Sequence, residues 1–82
     1  MSSNIRIFYK SQYDLGYALR GYIDEYFDNN VSDEELRETI KKVVEENKDK
    51  IFKEESIAKK LQQILGKNRL KILLSITSEK DS

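Results

Sequence analysis

The sequence predicts an all-α fold, a compact bundle of three to four helices with short loops, forming one small domain over residues 1–82. Three observations carry this prediction. Apolar residues recur at three-and-four spacing along most of the chain, the period of a helix with one buried face. There is no proline to interrupt such helices. Charged residues make up 37% of the chain and supply solvated faces.

Residues 1–10 read as an extended lead, followed by helices expected over 11–29, 33–49, 55–65 and 69–77. The first helix starts at "SQYD", where Ser11 caps the turn and Asp14 stands three residues on. Leu15, Ala18, Leu19, Tyr22, Ile23, Tyr26 and Phe27 then form one apolar face. "DNN" ends the helix, because Asn tolerates left-handed backbone. In "VSDEEL", Ser32 and Glu35 make a capping box, and Val31 and Leu36 make the hydrophobic staple. Asp33, Glu34 and Glu35 place negative charge at the positive end of the second helix. Leu36, Ile40, Val43 and Val44 are its core face, with Glu38–Lys42 and Glu46–Lys50 as i, i+4 pairs. Ile51 and Phe52 interrupt a charged run and are expected to plug the core from a turn. The third helix buries Ile57, Leu61, Ile64 and Leu65, and Gly66 stands where a terminating glycine belongs.

The last segment, "KNRLKILLSIT", fits two periods. As a helix it puts Leu70, Leu73 and Leu74 on one face and Ile72 and Ile76 on the other. As a strand it alternates Leu70, Ile72, Leu74 and Ile76. The lead also alternates, at Ile5, Ile7 and Tyr9. The minor alternative is therefore an α+β fold with a small sheet pairing the N- and C-terminal segments. The helix is preferred, since an isolated two-stranded pair is marginal in water.

Four stretches carry a family resemblance: "FYKSQYDLGYAL" (8–19), "YIDEYF" (22–27), "NKDKIFK" (47–53) and "LGKNRLKIL" (65–73). Together they resemble a family of short uncharacterised helical proteins from Gram-positive bacteria. Its pattern is an aromatic-Lys-Thr/Ser-Gln opening, a central acidic helix and a Gly-Lys-basic-Arg-Leu element. The resemblance implies an all-helical fold with a helix after Gly66, and it brings no catalytic or binding residue with it. This chain departs from the pattern at Asn68, where a further base would be expected.

Composition narrows the function classes. Without cysteine there is no disulfide and no thiolate zinc site; without histidine the commonest general base and metal ligand is missing. The acidic runs at 33–35 and 45–46 lack the ligand spacing of a calcium loop. No glycine-rich phosphate loop is present. No enzyme activity, metal or cofactor is therefore expected. The opening "MSSNIRIFYK" has no long apolar run, and no window approaches a membrane span, so a cytoplasmic protein is expected.

Three surfaces remain as candidates for contact with a partner. Tyr13, Tyr17 and Arg20 fall opposite the core face of the first helix, and Tyr and Arg are common interface anchors. They are the candidate site for another protein, the alternative being that the N-terminal segment folds back and covers them. Ile72 and Ile76, on a second apolar face, are the expected seam of a homodimer. The chain has no net charge, yet residues 57–73 carry five bases and no acid: Lys59, Lys60, Lys67, Arg69 and Lys71. These give the alternative, a nucleic-acid-associated protein held by phosphate contacts. Against it, "SIAKKL" starts like a helix-turn-helix, but Gln62 stands where that motif needs its glycine. Cations around a helix end also have a structural use, pairing with the last free carbonyls.

Overall fold

Ser11 opens the first helix, α1 (Gln12–Phe27), with its Oγ accepting from the Asp14 amide at 3.1 Å. This computed structural model describes residues 7–53 and 56–77. The chain is an all-α bundle: α1, α2 (Asp33–Glu46), the single turn α3 (Lys48–Ile51) and the long α4 (Lys59–Thr77). Between α3 and α4, β1 (Phe52–Lys53) pairs antiparallel with β2 (Ser56–Ile57), Phe52 opposite Ile57.

The turn between α1 and α2 follows from its asparagines. Asn29 takes φ 67°, and the Asn29 and Asn30 amides reach back to the Tyr26 and Glu25 carbonyls at 3.0 and 2.8 Å. That is a Schellman closure with Asn in the place usually held by glycine. Ser32 then caps α2, accepting from the Glu35 amide at 3.1 Å, and Val31 and Leu36 are both buried as the staple requires.

The core joins Leu15, Leu19, Tyr22 and Ile23 of α1 to Leu36, Ile40 and Val43 of α2 and to Leu61, Leu65, Leu73 and Ile76 of α4. Ile51, Ile57 and Ala58 close one end. Each such side chain contributes about 1.5–3 kcal/mol on burial.

Several expectations are corrected. Helix two ends at Glu46 rather than 49, because Asn47 leaves helical geometry at φ −129°, ψ 28° and turns its amide inward. Glu46 and Lys50 therefore lie on either side of a break and form no i, i+4 pair of one helix. Ile51 plugs the core, but Phe52 does not: it is exposed on the short ladder. Phe27, at the frayed end of α1, is exposed as well. The third helix starts at Lys59 instead of 55, since Ser56–Ile57 is strand; the expected start at 55 lies outside the described residues, as does Ile5 of the lead. Residues 69–77 are helix, so among the described residues no sheet joins the N- and C-terminal segments.

Gly66 breaks α4 as expected, at φ 80° and ψ 174°, and divides it into arms 59–65 and 67–77. The second arm is turned differently from the expected face. Leu73 and Ile76 are buried, Leu70 and Ile72 pack against the core, and Leu74 is exposed. Ile76, at 4% exposure against 44% for Leu74, is a core residue and not a dimer seam. A helix lying between two neighbours buries both of its apolar faces within the molecule.

Candidate partner-binding face on helices one and four

Tyr13, Tyr17, Arg20 and Asp24 follow one another at i, i+4, i+7 and i+11, so they form one stripe along α1. Two contacts show that this stripe borders α4. A methyl group on Gly16 would lie 2.7 Å from Ile64 Cδ1 and 3.0 Å from Leu61 Cδ2, so the two helices approach closely there. Two turns further on, Arg69 Nε and Nη2 donate to the two carboxylate oxygens of Asp24 at 2.7 and 3.2 Å. The helices therefore run side by side in the same direction, and Arg20 sits between these two tie points.

The tyrosines stand clear of the core, Tyr13 at 56% and Tyr17 at 46% exposure. Their rings meet edge to face, with centroids 5.0 Å apart. The Arg20 guanidinium lies 5.8 Å from the Tyr17 ring centroid. Rings held this way lose little freedom when a partner covers them. Tyr17, chiefly through hydrogen bonding, pushes the Tyr13 phenol above its ordinary value. The described part of the lead, residues 7–10, does not cover this stripe. It runs instead to the end of α2, where the buried Asn47 Oδ1 accepts from the Tyr9 amide at 3.1 Å and Asn47 Nδ2 donates to the Ile7 carbonyl at 2.7 Å. Phe8 points outward and meets Lys50 Nζ at 4.5 Å from its ring centroid. Gln12 Nε2 adds a bond to the Lys50 carbonyl at 2.7 Å.

The basic stretch divides into two kinds of residue. Arg69 is committed internally: besides Asp24, its Nη1 donates to the Leu65 carbonyl at 3.0 Å, satisfying the end of the first arm of α4. Lys59, Lys60, Lys67 and Lys71 are exposed and make no ion pair among the described residues. Lys60 precedes Ile64 by one turn and so shares the side of α4 that faces α1. Lys67, two positions before Arg69 on the second arm, falls on the other side of that arm from the Asp24 tie. The aromatic stripe and Lys60, far apart in sequence, thus lie along the same contact between α1 and the first arm of α4.

Sequence reasoning missed Gly16 and Asn47. A glycine inside an apolar helical face is a signal of close approach, so Gly16 was findable. Asn47 sits in a charged run and reads as surface. Two depressions are present elsewhere: about 340 Å³ beside Ile7, Lys41, Lys42, Glu45 and Glu46, and about 100 Å³ beside Tyr26, Asp33, Arg37 and Ile72. The larger is walled mainly by charged side chains, unlike the apolar clefts that enclose small ligands. Among the described residues no cluster of carboxylates is placed to hold a metal ion. No described helix is long and apolar enough to cross a membrane.

A model of a family described as conserved hypothetical protein matches residues 6–78. No curated protein and no solved structure matches the chain. The chain belongs to that conserved hypothetical protein family, in keeping with the resemblance read from its four stretches.

Proposed function

We propose that this family member is a small non-enzymatic module that docks another protein on the α1 stripe of Tyr13, Tyr17 and Arg20. The observation that supports the reading is the pair of exposed tyrosines, packed on each other and braced by Arg20 on a helix whose other face is core. Aromatic and arginine side chains on a rigid support are the usual anchors of an interface. The cysteine-free composition suits work in the reducing cytoplasm. A nucleic-acid role is the weaker reading, because Arg69 is tied to Asp24 and the chain has no net positive charge to attract a polyanion.

The test is affinity capture from nuclease-treated lysate with wild type and with the Tyr13→Ser, Tyr17→Ser double variant. Both should unfold at closely similar temperatures, since neither ring is part of the core. Wild type should retain a specific protein that the variant loses. Equal retention by both would sink the assignment of this face.

A further inference from the structure

We propose that the partner of the tyrosine stripe is a second copy of this chain, whose α1 packs antiparallel on it about a two-fold axis at Tyr17; this rests on the reading of that stripe as the docking face. Tyr13, Tyr17 and Gly21 are spaced i, i+4 and i+8, so they form one ridge, and all three are exposed on the side away from the core. Gly21 is the member that the single chain does not explain. Glycine weakens the interior of a helix. Nothing lies within 4 Å of where its Cβ would be, so no packing inside the molecule requires it. It leaves a recess in the ridge, one turn beyond Tyr17 and open to solvent.

An antiparallel copy fills that recess. With the axis at Tyr17, a residue before Tyr17 stands level with the residue equally far after it in the other chain. Tyr17 meets its own copy, Tyr13 of each chain comes level with Gly21 of the other, and Asp14 comes level with Arg20. Each Tyr13 ring then has room beside the opposite glycine. Among the described residues, neither Asp14 nor Arg20 has an ion pair within its own chain. Lys10 stands before the start of α1, and Glu25 and Asp28 stand at its end. Antiparallel packing sets these unlike charges near each other at both ends and opposes the two helix dipoles. Parallel packing would set Asp14 on Asp14 and Arg20 on Arg20. The contact is isologous, so each of these pairings is made twice. One helix face from each chain is a small interface, so the dimer is reversible and forms as concentration rises.

The test is sedimentation equilibrium of the full chain over a range of concentrations. Wild type should dimerise reversibly, and Gly21→Gln should associate about tenfold more weakly because its side chain fills the recess. At concentrations where both chains are monomers, the same variant should unfold at a slightly higher temperature than wild type, since it replaces a glycine inside a helix. A folding defect cannot produce that combination. Charge swaps test the direction of packing. Asp14→Arg and Arg20→Asp should each weaken the dimer, because each sets like charges against one another across the axis. Mixed in equal amounts, the two variants should pair with each other about tenfold more tightly than either pairs with itself. No such preference in the mixture, or association of Gly21→Gln as tight as that of wild type, would overturn the proposal. Dimers that persist undiminished in the Tyr13→Ser, Tyr17→Ser chain would overturn it too. So would a wild type that stays monomeric at every concentration. If that monomer still retains from lysate a specific protein that the tyrosine variant loses, the docking face stands and its occupant is a different protein.

Discussion

Gly66 takes φ 80° with ψ 174°, a region closed to residues with a Cβ. Space is not the constraint, since a Cβ there would meet nothing nearer than Arg69 Nη1 at 3.8 Å. Gly66→Ala should therefore cost about 1–3 kcal/mol through backbone strain alone. Urea unfolding measures it, and an unchanged midpoint would mean that α4 straightens at no cost. Arg69 is the second residue whose role is decided by its neighbours. Substituting it removes the tie to Asp24 and the bond to the Leu65 carbonyl together. A change of nucleic-acid or partner binding in an Arg69 variant thus reports on structure as much as on contact, and Lys60 and Lys67 are the cleaner sites. Tyr22 shows the opposite case. Its hydroxyl is buried without a well-formed hydrogen bond, and burial pushes its phenol upward. Its value to the fold lies in the ring.

At the scale of elements, α2 is defined at its start by local chemistry and at its end by tertiary contact. Asp33, in the first turn, faces the helix's unpaired amides, accepts from Arg37 Nε at 3.0 Å and from the Tyr26 hydroxyl at 3.1 Å. The Arg37 bond first, and the Tyr26 bond second, hold its carboxyl below the ordinary 3.8. A carboxyl with a lower pKa in the folded chain than in the unfolded one stabilises the fold above the unfolded value. That stability is lost as pH falls through the folded value. Acidification from about pH 5 to pH 2 should therefore lower the urea midpoint of wild type by more than that of Asp33→Asn. Equal falls would show that the pairing adds nothing in solution, as for many exposed ion pairs. The end of α2 has no such local cause. "EENKDK" has the composition of a continuing helix, and the break at Asn47 follows from what its amide does in three dimensions.

For the molecule as a whole, Asn47 and the α1–α4 contact are the two features that organise the surface. The Asn47 amide bonds Tyr9, Ile7 and the Val43 carbonyl, the last at 2.6 Å, and so ties the lead to the end of α2. Asn47→Ala would remove the bonds to the half-buried Tyr9 amide and Ile7 carbonyl and leave the buried Val43 carbonyl without its amide donor, at about 1–3 kcal/mol. The Tyr9 amide should then exchange with solvent faster relative to the core amides of α4. Unchanged exchange at Tyr9 would mean that other contacts hold the lead. This routing carries residues 7–9 away from Tyr13 and Tyr17, which are exposed. The side-by-side course of α1 and α4 is fixed by Gly16 at one point and Asp24–Arg69 at another.

What the sequence determined by itself was local. The helical class, both N-caps, the asparagine turn and the break at Gly66 each depend on residues within a turn or two of one another. Propensity, capping and periodicity act at that range. The tertiary structure alone decided the fate of Ile72 and Ile76, the end of α2, the partner of Arg69, the course of residues 7–9 and the close contact of α1 with α4. Each of these joins residues far apart in the chain, as with Asn47 and Tyr9 or Asp24 and Arg69. Periodicity can show that a helix has an apolar face, but which neighbour covers it depends on how the whole core packs.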